Sequence, residues 1–236
     1  MTNANSRFFD DYPLFYRTSE TAAAPNRLNA RYHALIESNR DLLHGARVLD
    51  IASHDGRWSF AAIKAGAAHV LGIEGRSYLV ENAVSNMAHY GVSSERFSFV
   101  VGDIHQELAV MPPRGVDVVF LFGFFYHSIR HAELLQKISK LEPEYLIIDT
   151  AVAVTDEPIV LLEFNDPDKE AAAIRSGSEG KVLVGRPSRL ALEYFLASSG
   201  FGCSYFDWSS LAPASWDHLD DYHRNRRVTV VAKRQP

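Results

Sequence analysis

Residues 47–65, RVLDIASHDGRWSFAAIKA, read as a buried strand, a tight turn and the start of a helix. Val48, Leu49 and Ile51 form a short apolar run, Ser53 or Asp55 can cap the following helix, and Gly56 is the one position without a Cβ. A strand-turn-helix of this kind points backbone N–H groups into a crevice. At the carboxyl end of a parallel strand, that crevice is where open α/β sheets bind cofactors. A phosphate loop would end in Gly-Lys-Ser/Thr, and a dinucleotide loop would need Gly-x-Gly-x-x-Gly for close approach to the pyrophosphate. Ala52 and His54 stand where those glycines would be. A second apolar strand, 69–73, ends in Glu74, near the roughly twenty-residue spacing at which an acid meets ribose hydroxyls. The pattern asks for a nucleoside without a diphosphate.

Outward from this stretch, strands at 47–51, 69–73, 97–101, 117–122 and 145–150 alternate with helices at 57–65, 77–90 and 131–140, with a loop around Pro112-Pro113. Strands without a polar face predict a parallel sheet with helices on both sides. Right-handed crossovers bring the ends of the first four strands around one crevice. The rhythm breaks between 151 and 186. There IVLLEF (159–164) and KVLVG (181–185) flank a polar segment, and a connection of that length is usually functional. Regular structure resumes with a helix at 189–199 ended by Gly200, a strand near 203–208 and a last strand at 227–233.

In this ordered series the chain resembles the class I methyltransferases, which use S-adenosylmethionine. Their first motif, Leu-Asp-x-Gly-x-Gly-x-Gly, stands here as Leu49-Asp50-Ile51-Ala52-Ser53-His54-Asp55-Gly56. Gly72-Ile73-Glu74 matches the ribose-holding motif, and Val100-Val101-Gly102-Asp103-Ile104 matches the adenine-edge motif. DVVFLFG (117–123) matches the fourth strand, and Phe124-Phe125-Tyr126-His127 follows it as in members with Leu-Tyr-His at that point. The resemblance covers residues 45–150. It implies an α/β, doubly wound, mostly parallel seven-stranded sheet with helices on both faces and an antiparallel C-terminal strand. Residues 1–45 are expected as a strap or lid plus a helix, 46–236 as the methyltransferase domain, and 151–186 as a flap inserted on the substrate side.

Composition bounds the rest. The 236 residues, 47% hydrophobic, suffice for one sizeable core. A formal charge of −5 disfavours a large nucleic-acid footprint, with Arg224, Arg226, Arg227, Lys233 and Arg234 the one basic concentration. The single cysteine, Cys203, excludes an internal disulfide and a Cys-based zinc site. No apolar run is long enough for a membrane span and the polar start is not a signal peptide, so a cytoplasmic protein, with a homodimer as an open question, is expected.

On the implied cofactor, Asp50 suits the methionine ammonium or merely caps backbone groups. Glu74 suits the ribose diol. Asp103 meets the adenine amino group or caps a helix. The backbone of Ala52, Ser53, His54 and Gly56, of Ile104, and of Phe122 and Gly123 lines the remainder, and His54 either closes over the cofactor or faces solvent. A hydroxyl acceptor needs a base or a metal. His127 is the first choice for the base, against a packing role, with Tyr126 beside it touching cofactor or acceptor. Asp149 can orient the base, bind the acceptor or, with Glu163 and Asp166, ligate Mg²⁺. Trp208, Trp216, Tyr222, Asp217, His218, Asp220 and Asp221 suit a sugar or another polyhydroxylated small molecule, or are ordinary surface and core. Methylation of tRNA and a cofactor-binding module without catalysis are the alternatives.

Overall fold

The strand-helix alternation is realised as one seven-stranded sheet and a separate hairpin. The structure, a computed structural model, describes residues 7–21, 24–165, 181–211, 213 and 216–236. In chain order the elements are α1 (Leu14–Thr18), α2 (Pro25–Leu35), α3 (Arg40–Leu43), β1 (Arg47–Ile51), α4 (Arg57–Lys64), β2 (His69–Glu74), α5 (Ser77–His89), β3 (Phe97–Val101) and α6 (Ile104–Val110). They continue with β4 (Val118–Phe122), α7 (His131–Lys140), β5 (Tyr145–Ala151), β6 (Val160–Asn165), β7 (Val182–Pro187), α8 (Arg189–Ser198), β8 (Phe201–Tyr205), α9 (Asp220–His223) and β9 (Arg227–Arg234). The sheet order is β3-β2-β1-β4-β5-β9-β8. All neighbours are parallel except β9, which runs antiparallel to both β5 and β8. The order reverses direction between β1 and β4, and a crevice opens there outside the carboxyl ends of the strands.

Alternation along the strands sorts the core into two layers. Leu49 and Ile51 of β1, Val119 and Leu121 of β4 and Ile148 of β5 join residues of α6, α7 and α8 on one face. Val48, Val118, Phe120 and Ile147 join α2, α4 and the aromatic N-terminal segment on the other. Phe9 and Phe15 are fully buried there, and Phe8 stacks on Tyr32 at 4.0 Å. Residues 7–21 are thus packed into the core by aromatic surface, each fully buried ring contributing about 1.5–3 kcal/mol. The segment holds a short 3-10 turn, Phe8–Asp11, and α1.

Three local readings need correction. The helix expected within residues 1–45 breaks after Leu35 into a 3-10 turn, Glu37–Asn39, and the short α3. Ahead of the loop around Pro112-Pro113, where no helix was expected, stands α6, capped by Asp103, whose carboxylate accepts from Gln106 N at 3.0 Å. The strand expected near 203–208 lies earlier, and Trp208 falls in a 3-10 turn, Trp208–Leu211. The two short strands of the 151–186 segment form an antiparallel hairpin, β6 with β7. It packs on the turn after β4, where His131 Nε2 lies 3.0 Å from the Gly185 carbonyl oxygen. No helix among the described residues is long and apolar enough to cross a membrane.

Candidate active site

At the end of β1 the chain turns through three left-handed residues, Ala52 (φ 58°), His54 (φ 54°) and Gly56 (φ 77°). These are the positions of the three motif glycines, so the loop keeps the backbone that glycine makes easy while two side chains are added. Hydrogen bonds hold it in that shape. Ser53 N donates to Ile73 O at 3.0 Å, Gly56 N to Ser53 O at 3.0 Å, and His54 N to Glu74 Oε2 at 3.1 Å. Gly56 has a steric reason as well, because a Cβ there would meet Ala83 Cβ at 2.9 Å.

Glu74 ends β2 as expected and is 2% exposed. Its other oxygen accepts from Arg76 N at 3.2 Å and Arg76 Nε at 2.9 Å, so the carboxylate ties the first loop to the turn after β2. His54 is 9% exposed, which excludes the solvent-facing reading. A guanidinium can only donate, so Arg57 Nη2, 2.6 Å away, donates to His54 Nδ1. The neutral ring then carries its proton on Nε2, which is buried and without a hydrogen-bond partner, as is Ser53 Oγ. Two buried polar atoms left open in one loop are what a bound ligand would satisfy.

The loop is covered from the N-terminal side. Asp55 is fully buried and accepts from Thr18 Oγ1 at 2.7 Å and Arg57 Nε at 2.7 Å. Burial alone would raise its pKa, but the Arg57 cation beside it and the Thr18 hydroxyl hold it below the ordinary carboxylate value. Arg57 also donates to Ser19 Oγ at 2.6 Å, and Glu20 accepts from Tyr78 OH at 2.8 Å and Arg76 Nη1 at 3.2 Å. Residues 18–20 therefore lie as a strap across the first loop and the β2 end.

The two acids at the sheet's centre take places other than those read from the sequence. Asp50 points to the α4 side of the sheet, where its Oδ2 accepts from Ser59 Oγ at 2.6 Å. It is 1% exposed, and desolvation pushes its pKa up to about 7 despite that hydrogen bond. Asp149 is fully buried. Oδ1 accepts from Arg227 Nε at 2.7 Å and Arg31 Nη2 at 3.0 Å, and Oδ2 from Tyr222 OH at 2.8 Å and Thr229 Oγ1 at 2.9 Å. Burial would raise its pKa, but the Arg227 and Arg31 cations and the Tyr222 hydroxyl hold it down at about 2. A carboxylate has about four acceptor positions, and all are filled. Asp149 therefore holds two guanidiniums in place and has no lone pair left for an acceptor proton or a cation.

The Mg²⁺ reading fails with it. Glu163 pairs with Arg186 Nη2 at 2.7 Å, Asp166 lies outside the described residues, and among the described residues no cluster of three or more His, Cys, Asp or Glu could hold a metal. The turn after β4 is built as expected. Gly123 (φ 84°) bonds through its N–H to Asp149 O at 2.8 Å, Phe122 is buried, and Tyr126 and His127 follow in the 3-10 turn Phe125–His127. Both are half-buried, with ring centroids 4.0 Å apart. Asp103 is half-buried as the α6 cap, and Ile104 is buried beside it. The geometry therefore gathers Ala52, Ser53, His54, Gly56, Glu74, Asp103, Ile104, Phe122, Gly123, Tyr126 and His127 at consecutive strand ends, with Asp50 and Asp149 beneath.

Sequence reasoning missed Arg31 and Arg227. Arg31 lies 5.0 Å from the Trp58 ring, and Arg227 5.4 Å from the Tyr126 ring and 3.4 Å from where a Cβ on Gly123 would stand. The one available signal for Arg227 was a cation directly before the run Val228-Thr229-Val230-Val231-Ala232 of the last strand. Of the residues assigned to the acceptor, Trp208 and Tyr222 stack at 3.6 Å, but Asp220 pairs with Arg224 and Arg226, and Asp221 with Arg27.

Solved structures with this fold are many. An S-adenosylmethionine-dependent methyltransferase from Mesorhizobium loti superposes with a TM-score of 0.66 at 15% identity, covering 89% of this chain and all of that one (100%). Magnesium protoporphyrin IX methyltransferase from Synechocystis, solved with S-adenosylmethionine bound, gives 0.61 at 14% identity over 98% of this chain and 93% of that one. The cyclase SpnF shares the fold as well, with a TM-score of 0.60 at 16% identity over 90% of this chain and 82% of that one, so architecture alone does not set the reaction. No curated protein matches in sequence. The family is decided by the sequence model described as "Methyltransferase domain", which matches residues 42–181, from α3 through the first strand loop and the turn after β4 to the start of the second hairpin strand. The chain therefore belongs to the methyltransferase domain family, and is a methyl-transferring enzyme.

Proposed function

We propose that this chain transfers a methyl group from S-adenosylmethionine to a hydroxyl of a small molecule, with His127 as general base. The observation that carries the cofactor assignment is the first loop: a left-handed backbone kept at Ala52 and His54 without glycine, bonded to the ribose-position acid Glu74, with Ser53 Oγ and His54 Nε2 buried and unsatisfied. Glu74 would hold the ribose diol, Asp103 and the Ile104 N–H the adenine edge, and the loop the methionine part. When bound, the cofactor supplies an electrophilic methyl group on a sulfonium. The protein's part is to hold the acceptor, keep water out and receive its proton.

His127 follows the fourth strand at the crevice end, with Tyr126 against its ring, and there its imidazole takes the acceptor's hydroxyl proton. Asp149 supports this site indirectly by fixing Arg227, whose guanidinium faces Tyr126. A small acceptor is favoured over nucleic acid by the fate of the one basic stretch. Arg224 and Arg226 are paired with Asp220, Arg227 is buried on Asp149, and Arg234 bonds to Ser139 O and Pro143 O. No free basic stripe remains of those residues to track a phosphate backbone.

Calorimetric titration with S-adenosylmethionine and S-adenosylhomocysteine, with NAD as control, tests the cofactor; micromolar binding of the first two and none of NAD is expected. His127→Ala should keep that binding and lose turnover by a factor of about 10²–10⁴. Full turnover in the variant would remove His127 as the base, and absence of binding by either adenosyl compound would remove the function.

A further inference from the structure

A cleft of about 430 Å³ opens on the crevice side of the C-terminal strands, at the end of β8 and the start of β9. That volume is in the range of sites for small organic ligands. Its walls are aromatic: Tyr205, Phe206, Trp208, Trp216 and Tyr222 all line it. Two guanidiniums complete it, Arg189 at the start of α8 and Arg227 at the start of β9.

The charge in this cleft is lopsided. Arg189 is exposed, lies 4.1 Å over the Tyr205 ring and forms no ion pair among the described residues, while the Glu193 carboxylate one helical turn on acts on the Tyr205 hydroxyl. Beneath the cleft, among the described residues, Arg27 pairs with Asp221 while Arg31 and Arg227 share Asp149. Arg227 gives its Nε to Asp149, while Arg31 Nε is buried with no hydrogen-bond partner. The one carboxylate in the lining, Asp207, is exposed, and its Oδ1 accepts from Ser209 N at 2.9 Å and Ser209 Oγ at 2.6 Å. Flat apolar walls with a cation at the rim and another on the floor suit a planar ring that carries an anion.

The cleft adjoins the candidate active site at Arg227. Arg227 and Tyr222 line it, and the same Arg227 guanidinium faces Tyr126 at 5.4 Å and the Gly123 backbone. Building on the function proposed above, we propose that this cleft is the acceptor site and that its ligand class is a hydroxylated arene carboxylate. The ring lies among Trp208, Trp216 and Tyr205, the carboxylate is gripped by Arg189 and Arg227, and the hydroxyl is directed toward His127. This narrows the acceptor away from the neutral polyhydroxylated compounds expected from the sequence.

The test is calorimetric titration of the full chain, with S-adenosylhomocysteine present and absent, using para-hydroxybenzoate and hydroxynaphthoate against their neutral carboxamides. At least one carboxylate should bind about tenfold or more tighter than its amide, the advantage expected of a charge-assisted hydrogen bond. Arg189→Gln, an exposed substitution outside the proposed cofactor loop and base, should erase most of that preference while leaving S-adenosylhomocysteine binding unchanged. Trp216→Ala should weaken acid and amide alike. Equal binding of acid and amide, binding of neither, or a preference that survives in Arg189→Gln overturns the proposal. Cofactor binding without any acid preference sinks the acceptor assignment alone, whereas an acid preference without adenosyl-compound binding sinks the methyl-transfer reading alone.

Discussion

Replacing Asp149 by Asn separates the two roles a carboxylate at the end of β5 can have. In the folded chain its four acceptor positions hold Arg31, Arg227, Tyr222 and Thr229, and it is fully buried. The Asn side chain keeps the shape but removes the charge, leaving two guanidiniums in a dry interior with no counter-ion on that side. Breaking a buried pair in this way costs about 3–5 kcal/mol. At about 2–4 °C per kcal/mol for a chain of this size, the melting temperature should drop by roughly 6–20 °C. The wild type carries a matching pH signature. Its Asp149 pKa is depressed from 3.8 to about 2, so the native state binds this proton less readily than the unfolded chain does. The resulting stability, about 2 kcal/mol, is fully present above pH ~4 and is lost as pH falls through ~2. Asp55 contributes in the same window, so the informative quantity is the difference between wild type and variant. Urea unfolding at pH 7 and at steps between pH 4 and 2 should show a large gap at neutrality that narrows on acidification. An Asn variant with an unchanged urea midpoint but no turnover would refute the buried-node account and return Asp149 to the chemistry.

Other outcomes follow from the same geometry. Asp50→Asn should be more stable than wild type, by a margin that grows as pH rises from about 4 to 7 and is constant above; in that window the native carboxyl, raised to about 7, keeps a proton the unfolded chain has released. Urea midpoints at pH 5 and 8 check it, and an equal gap at both would be the wrong result. Thr18→Val deprives Asp55 of one donor and should cost about 1 kcal/mol while loosening the strap, seen as faster amide exchange at residues 18–20 and unchanged exchange in β4. Gly56→Ala, against Ala83 Cβ at 2.9 Å and with φ at 77°, should cost more than about 2 kcal/mol, whereas Ala52→Gly should be within about 1 kcal/mol of neutral, relief of the left-handed strain offsetting lost packing and a more flexible unfolded chain. Thermal melts of the two variants side by side are sufficient.

The sheet was legible because its strands are read from local pattern. VVFLF at β4 is buried at every position, and its neighbours need only the order in which apolar runs and helices follow one another. The strand-end residues came with it, since Glu74, Asp103 and His127 each sit directly after an apolar run. What stayed hidden is built from distance. Asp149 meets Arg31 across 118 residues and Arg227 across 78, and no window of sequence contains either pairing. Periodicity places an acid at a strand end, but only the return of β9 beside β5 and the docking of α2 decide whether that end is open or filled. The acidic residues of the C-terminal stretch misled for the same reason, because Asp221 is spoken for by an arginine from α2.

The first loop shows the complementary case, in which the missing glycines were visible and their meaning was not. Loss of two glycines suggests a loop that has abandoned its conformation, yet Ala52 and His54 both retain left-handed backbone. Holding two L-residues there costs about 1–2 kcal/mol each. The cost is met by bonds from outside the turn, Ser53 N to Ile73 O and His54 N to Glu74, so β2 dictates the loop's shape. A strained backbone held against its own side chains is retained where its shape is used. The side chain added at position 54 then acquires a definite place: Arg57 takes Nδ1, burial excludes water, and the Nε2 proton is left in the loop without a partner. Where glycine would offer only backbone, this loop adds a directed donor.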